Sequence, residues 1–351
     1  MTANNENKKK RSYIISELMP GAARAARTAA LVACVLTVTA CASKDNGSTN
    51  GSGSPTPAPS ASPSASAAPS AAPAKERTVK DTKGNDVKIP ANPQRVIGSY
   101  LEDPLLVLGV KPAAQWSIAS GGVQEYLKTE LQGVPNIPST LPLENVLSFN
   151  PDLMFVASDA TVDKGMYEQY SKITPTFVVG EAVTVDWRKT LLLLADVLNK
   201  TSVAEKALKD YEEKAKATKA KLQTTIGDKK AAILWLTKKN FYVVNGKVAS
   251  GAVVYGDLGM KQPNILAVLP EAKANWVAIS LEKLAQLDAD YIFLVNSDKG
   301  QADNLTDPLW KNVPAVKSGN VFEMDINSSW LYNGLIAGSK VMDDLTKALV
   351  K

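Results

Sequence analysis

The segment Leu143-Glu144-Asn-Val-Leu-Ser-Phe-Asn-Pro-Asp152-Leu-Met-Phe-Val156 returns 138 positions later, without a gap, as Leu281-Glu282-Lys-Leu-Ala-Gln-Leu-Asp-Ala-Asp290-Tyr-Ile-Phe-Leu294. The Leu-Glu pair, the Asp and the following Phe are identical, and the apolar positions largely correspond. Each copy reads as a two-turn amphipathic helix, a turn, and an apolar strand without polar alternation. Such a run marks a strand buried on both faces, as in parallel α/β sheets. Two equivalent helix-to-strand units this far apart predict two related α/β lobes.

Further units fall on either side. In the first lobe, 94–99, 113–117, 151–157 and 174–179 read as strands and 103–108 as a short helix. In the second, 230–237 and 241–244 read as strands joined by a turn at Lys238-Lys239-Asn240. The runs 254–258, 291–295 and 321–324 follow as further units. Between the lobes, Ala204, Leu208, Tyr211, Ala215, Thr218 and Leu222 recur at helical spacing, one stripe of an amphipathic helix. From Ser202 to Gln223 this helix is about 33 Å long, enough to cross a domain. A single helix joining two lobes is stiffer than paired strands, so wide hinge closure is not expected.

The chain has no histidine and two cysteines. Without histidine, Ser-His-Asp and Cys-His catalysis, zincin motifs and His-rich zinc sites are unavailable. Cys34 lies in an apolar run, Ala29 to Ala40, that follows the basic residues Lys8, Lys9, Lys10, Arg11, Arg24 and Arg27. That run is roughly 12 residues against the ~20 a spanning helix needs, and it reads as the apolar core of an export signal. The small residues Val38-Thr39-Ala40 precede Cys41, and residues 46–74 are almost wholly Ser, Pro, Ala, Gly and Thr. Cleavage before Cys41 removes six basic and two acidic side chains and takes the formal charge from +5 to +1. Nucleic acid then has no electrostatic case as a partner. The start of the chain resembles a bacterial lipoprotein signal, whose cysteine is lipidated after export. A small cysteine in an ordinary secretory signal is the competing reading.

The expected organisation is therefore a signal peptide over 1–40 and a lipidated Cys41 with a disordered tether over 41–74. An N-terminal lobe over 75–183, connecting helices over 184–226 and a C-terminal lobe over 227–351 follow. Roughly 275 globular residues suit two compact lobes better than one core.

In order and spacing, several segments resemble a substrate-binding protein of an ABC importer, in the group whose lobes share one backbone helix. They are Pro90-Ala-Asn-Pro-Gln-Arg95-Val-Ile, Leu108-Gly-Val-Lys-Pro112, Leu143-Glu144 through Leu153, Ser250 through Gly259, Ile279-Ser-Leu-Glu282 and Pro308-Leu-Trp310 through Val321. Trp235-Leu-Thr-Lys-Lys-Asn-Phe-Tyr242 and Ser328-Ser-Trp330-Leu-Tyr332 add a likeness to Gram-positive iron-hydroxamate-binding lipoproteins. The resemblance implies an α/β fold of two Rossmann-like lobes joined by a long backbone helix, with a ligand cleft between them. It also implies a non-enzymatic monomer, anchored by lipid on the extracellular face of the cell membrane, that captures a ferric siderophore. Iron enters only as part of that complex, so neither a cofactor nor a protein metal site is expected. The partners implied are two permease subunits, onto which Glu144 and Glu282 dock, one from each lobe. The competing reading of either glutamate is a helix N-terminal charge favoured by the macrodipole.

A ferric tris-hydroxamate carries little charge and suits an aromatic pocket with a few donors, whereas a trianionic tris-catecholate needs an Arg/Lys cluster. Catecholate binders of this kind place arginines on the first strand of the second lobe. Here that strand reads Ile233-Leu-Trp235-Leu-Thr237, with Lys238 and Lys239 in the following turn. Some hydroxamate binders use an arginine just before the first-lobe glutamate, where this chain has Pro138-Ser139-Thr140. The aromatics at strand ends and in loops, Tyr100, Trp116, Trp235, Tyr255, Trp276, Trp330 and Tyr332, are expected to face the cleft, with core packing as the competing reading. Trp187 and Arg188 open a helix and offer an aromatic and a donor at its mouth. Trp310 is assigned to the core and Arg95 to a structural role. Catecholate, haem or cobalamin binding by the same fold is the alternative, and haem would lack a histidine ligand. A surface-anchored hydrolase is the distant one, disfavoured because the two conspicuous glutamates belong to separate lobes.

Overall fold

The computed structural model describes residues 75–268, 276–299 and 303–350, so the signal, the tether and Cys41 lie outside the described residues. The chain opens on an antiparallel hairpin of β1 (Arg77–Lys80) and β2 (Asp86–Ile89). Its turn is organised by Asp81, whose carboxylate accepts the N–H groups of Lys83 and Asn85, both at 2.9 Å, and of Val178 at 3.2 Å. That last bond fastens the hairpin to the lobe.

The first lobe is built on β3 (Val96–Ser99), β4 (Gln115–Ser117), β5 (Asn136–Pro138), β6 (Leu153–Val156) and β7 (Thr176–Val178). β3 pairs in parallel with β6 and β6 with β7, while β4 pairs with β5 and is joined to β3 by an Ile97–Ala114 bridge. The spatial order is thus β5-β4-β3-β6-β7. Every residue of β3, β6 and β7 is buried, as expected of central parallel strands, with β6 apolar throughout and β3 and β7 each carrying one buried hydroxyl, Ser99 and Thr176. Parallel neighbours need crossovers. Among them are α1 (Glu102–Val107), α2 (Leu143–Ser148) and α3 (Met166–Ile173). The chain leaves β3 toward β4 and β5, then returns past it to β6 and β7. Such a reversal of strand order opens a crevice beyond the carboxyl ends of the strands, where open α/β sheets bind ligands.

α4 (Glu181–Thr184), α5 (Trp187–Val197) and α6 (Thr201–Ile226) lead out of the first lobe. Asp186 caps α5 by accepting the N–H groups of Arg188 and Lys189. α6 has 26 residues, about 39 Å of helix. Its buried positions are Ala204, Tyr211, Ala215, Thr218 and Leu222, five of the six residues of the sequence stripe; Leu208 packs beside them half-buried.

The second lobe contains β8 (Ala231–Thr237), β9 (Asn240–Val244), β10 (Trp276–Ile279), β11 (Tyr291–Asn296) and β12 (Val321–Met324), in the order β10-β9-β8-β11-β12. β8, β11 and β12 are parallel; β9 and β10 run antiparallel at one edge. The β8–β9 turn places Lys238 and Lys239 at φ +49° and +59°, and the Asp298 carboxylate accepts both of their N–H groups. Two successive left-handed residues match the twist of a tight hairpin. The helices of this lobe are α7 (Ala249–Gly251), α8 (Ile265–Val268), α9 (Leu281–Leu284), α10 (Pro308–Lys311), α11 (Pro314–Lys317) and α12 (Leu335–Leu349). The unit read at 254–258 is wound largely into a π-helical turn, Ala252–Asp257.

The sequence echo is visible in the hydrogen bonding. Asp152, just before β6, donates its N–H to Arg95 O at 3.1 Å, and its carboxylate accepts the N–H groups of Gln94 and Arg95. Asp290, just before β11, donates its N–H to Lys230 O at 2.9 Å, and its carboxylate accepts the Lys230 N–H at 2.8 Å. Each aspartate therefore clamps the start of the neighbouring parallel strand, β3 or β8. Arg95 has the structural role expected of it, with Nε donating to Phe149 O and Asn150 O.

Candidate functional site

A cavity of about 470 Å³ lies at the reversal point of the first sheet. That is within the usual range for small-ligand sites, roughly 300–1,000 Å³. Ser99 and Tyr100 leave the end of β3, Trp116 comes from β4, and Ala157 and Ser158 follow β6. Glu181 and Thr184 of α4 and the following Val185 close one side, Trp187 and Leu191 line it from α5, and Asn333, Gly334 and Leu335 cover it at the start of α12.

Tyr100 sits at φ +64°, a conformation that side chains rarely adopt, in a turn closed by the Leu101 N–H on Gly98 O. Its ring is 43% exposed and stands edge-on to Trp116 at 5.0 Å. Tyr332 lies 6.4 Å from Tyr100 and 4.9 Å from Tyr126, which extends the aromatic arc. Tyr100, Trp116 and Trp187 line the cavity itself, while Tyr332 backs the first of them.

Two carboxylates are buried beneath this arc. Glu102 is 1% exposed, and one oxygen accepts the Trp116 N–H at 2.6 Å. Its other oxygen has no hydrogen-bond partner among the described residues. Burial pushes its carboxyl up to about 7, against the opposing pull of the Trp116 N–H. Asp103 is 2% exposed and accepts the Tyr126 hydroxyl at 3.1 Å and the N–H groups of Ile336 and Ala337 at 3.2 and 2.9 Å. Burial raises it to about 6 despite those bonds. Asp103 thus caps α12 from the first lobe. Neither carboxylate stood out in the sequence, because Asp and Glu are ordinarily exposed. The hydroxyls of Ser99, Ser158 and Thr184 were also missed, although each follows closely on a strand end or opens toward the connecting helices. That position is the signal that marks them.

Other expected residues are elsewhere. Trp330 is fully buried, stacked on Phe293 at 5.0 Å, with its indole N–H donating to Asp344 at 2.8 Å. Tyr255 is 8% exposed and donates its hydroxyl to Ala231 O. Both are core residues, which corrects their assignment to the cleft. Each finds a single polar partner for its one polar atom, and its apolar body then packs as well as a phenylalanine. Arg188 does not line the cavity. It reaches Asp257 at 2.9 Å and lies over Trp187, 4.2 Å from the ring centroid, because α5, α6 and the π-helical turn converge there. Tyr211 joins this group by donating to Asp257 at 2.7 Å.

Trp235, Trp276 and Tyr242 form a separate half-buried cluster on the second sheet, with Trp235 4.7 Å from Trp276 and 5.5 Å from Tyr242. The Trp235 indole N–H donates to Ser297 Oγ at 2.8 Å, just beyond β11. These rings are not part of the cavity. Trp310 is in the core as expected, 4% exposed and stacked on Phe241.

Glu144 and Glu282 are both exposed in the first turns of α2 and α9. Ser280 caps α9, and its hydrogen bond holds the Glu282 carboxyl below the usual range. The two glutamates occupy corresponding places in the repeated helix-to-strand unit.

A largely apolar bowl edged with hydroxyls suits capture of a molecule with both apolar and oxygen-rich surfaces. The chain is similar to several known proteins. The iron(3+)-hydroxamate-binding protein YxeB of Bacillus subtilis is 32% identical over 286 residues, covering 78% of this chain and 85% of YxeB. The iron(3+)-hydroxamate-binding protein FhuD of the same organism is 32% identical over 264 residues, 72% of this chain and 80% of FhuD. Among solved structures, a FhuD fold-family periplasmic binding protein component of a Fep/Fec-like ferrichrome ABC transporter from B. subtilis superposes with a TM-score of 0.66. It is 27% identical and covers 78% of this chain and 100% of its own. Residues 99–327 match the family profile described as periplasmic binding protein, so the chain belongs to the periplasmic binding protein family.

Proposed function

We propose that this protein is the substrate-binding component of an ABC importer and that its cavity receives a ferric hydroxamate siderophore. The observation that carries this reading is the chemistry of the cavity wall. Tyr100, Trp116 and Trp187 present aromatic faces, serine and threonine hydroxyls supply hydrogen bonds, and the charged residues among the described lining are the acids Asp103 and Glu181. A trianionic catecholate complex would meet repulsion there, whereas a tris-hydroxamate presents a neutral iron core. The names of YxeB and FhuD, both hydroxamate binders, support the same choice.

In this reading Tyr100, Trp116, Trp187 and Tyr332 contact the ligand. Trp235 and Trp276 stand in their own cluster on the second sheet, apart from the cavity, and are not among these contacts. Iron arrives inside the ligand, and the protein binds and delivers it without chemistry of its own. Glu144 and Glu282 dock a monomer onto two permease subunits, and Cys41 anchors it by lipid on the outer face of the cell membrane.

The test is a fluorescence titration of the purified protein with ferrioxamine B, ferrichrome and a ferric tris-catecholate. Two tryptophans line the cavity, so the hydroxamates should quench emission at low concentration and more strongly than their iron-free forms. Quenching by the catecholate alone would replace this ligand class.

A further inference from the structure

The sign of the charges around the cavity divides hydroxamate complexes among themselves. Three hydroxamates, each bearing one negative charge, neutralise ferric iron, so the net charge of the complex is set by groups pendant from its chain. Glu181 stands exposed at the cavity edge, where one carboxylate oxygen accepts the Ser158 hydroxyl at 2.7 Å. Asp103 lines the cavity from below, and Glu102 is buried beside Trp116. The nearest arginine of the connecting helices, Arg188, is bound to Asp257 and turned away. No lysine or arginine belongs to the described lining.

From this arrangement we infer that the cavity prefers ferric hydroxamates bearing a pendant protonated amine, with Glu181 as the specificity-determining counter-charge. The inference rests on the ligand class proposed above and deepens it. Ser158 holds the Glu181 carboxylate by one oxygen and leaves the other for an ammonium group, which brings three donors and no acceptor. Asp103 is committed to the start of α12, so it adds to the field without being a ready partner. Because Glu181 is exposed, its effect is modest and sensitive to salt.

The experiment compares ferrioxamine B, a monocation, with its N-acetylated form, which is neutral and otherwise alike. Both are titrated against the purified full chain at low and high ionic strength. Wild type should bind the cation about two- to fivefold more tightly at low salt, and the gap should close at high salt. In Glu181→Gln the two affinities should converge through weaker binding of the cation, and in Glu181→Lys the order should reverse. Equal affinities in wild type, or a gap that persists in Glu181→Gln, overturn this inference and leave the ligand class standing. If neither form binds, the ligand class itself falls.

Discussion

The Asp103 carboxylate occupies the space that a side chain at Gly334 would need. Gly334 sits at φ +152°, and a Cβ there would overlap all three carboxylate atoms of Asp103. This close approach lets Asp103, on the first lobe, accept the N–H groups of Ile336 and Ala337 at the start of the last helix. Those N–H groups are without helical partners, so the carboxylate satisfies them while the α12 N-terminus balances a buried negative charge. The same contact forms one edge of the cavity, so fold and site share it.

Gly334→Ala should therefore destabilise the protein by about 2 kcal/mol or more, combining backbone strain with displacement of a buried carboxylate. Urea unfolding monitored by circular dichroism gives the value. Wild-type stability in this variant would mean that the segment ahead of α12 relaxes freely, and that Asp103 does not hold it.

The second buried carboxylate makes a prediction about pH. Glu102 titrates near 7 in the folded protein against about 4.5 ordinarily, with burial the leading cause. Between those values the folded state binds the proton that the unfolded state has lost, so stability falls as pH rises. Glu102→Gln keeps an acceptor for the Trp116 N–H and removes the charge. The variant should be roughly 1–3 kcal/mol more stable than wild type at pH 8, with little difference at pH 4. Denaturation curves across that range test the sign. Lower stability of the variant at pH 8 would show that the ionised carboxylate has a compensating partner.

Much of this fold is legible in the sequence where burial and periodicity point the same way. The α6 stripe from Ala204 to Leu222 is an example, because a helix of this length crossing two lobes must bury one face and wet the other. The echo is legible for a different reason. Asp152 and Asp290 make the same bonds to the start of a neighbouring strand, so neither position tolerates drift. Aromatic residues are less informative. Trp116 at the cavity and Trp330 in the core lie on a short strand and in a loop respectively, and only packing decides which way an indole turns. The buried Glu102 and Asp103 are hidden in a sequence because their acceptability depends on partners supplied by residues 116, 126, 336 and 337.

The division between cavity and core tryptophans is open to direct measurement. Trp116→Ala should weaken ferric hydroxamate binding by about tenfold, as expected of a central aromatic contact, and remove part of the quenching. Trp310→Phe, in the second lobe's core, should leave ligand-induced quenching in place while lowering stability. Loss of quenching in Trp310→Phe with retention in Trp116→Ala would move the ligand away from the cavity described here.

The proposed lipid anchor makes Cys41 the residue to test. Cys41→Ala removes the thiol that a lipid would modify, so the protein should be released from the membrane fraction or accumulate unprocessed. Metabolic labelling with a palmitate analogue reports the modification directly. Membrane retention and labelling that survive the substitution would overturn the assignment of this residue.

The corresponding positions of Glu144 and Glu282 allow binding and delivery to be separated. Both side chains are exposed, on α2 and α9, and neither is among the residues lining the cavity. Replacing either by alanine should leave ferric hydroxamate affinity and stability within experimental scatter of wild type. If the two glutamates dock on a permease as proposed, uptake of radiolabelled iron complex should nevertheless fall, and more in the double variant than in either single one, because both contacts would orient one assembly. Opposite charges at a transient interface act chiefly on encounter and orientation, so lysine at either position should impair uptake more than alanine does. The Leu147 side chain, 61% exposed one turn beyond Glu144, would pack against the same partner surface. Leu147→Ser should then depress uptake without touching affinity. Loss of binding in parallel with uptake would place the glutamates in the fold or the ligand site instead, and uptake equal to wild type in the double variant would remove them from the permease interface.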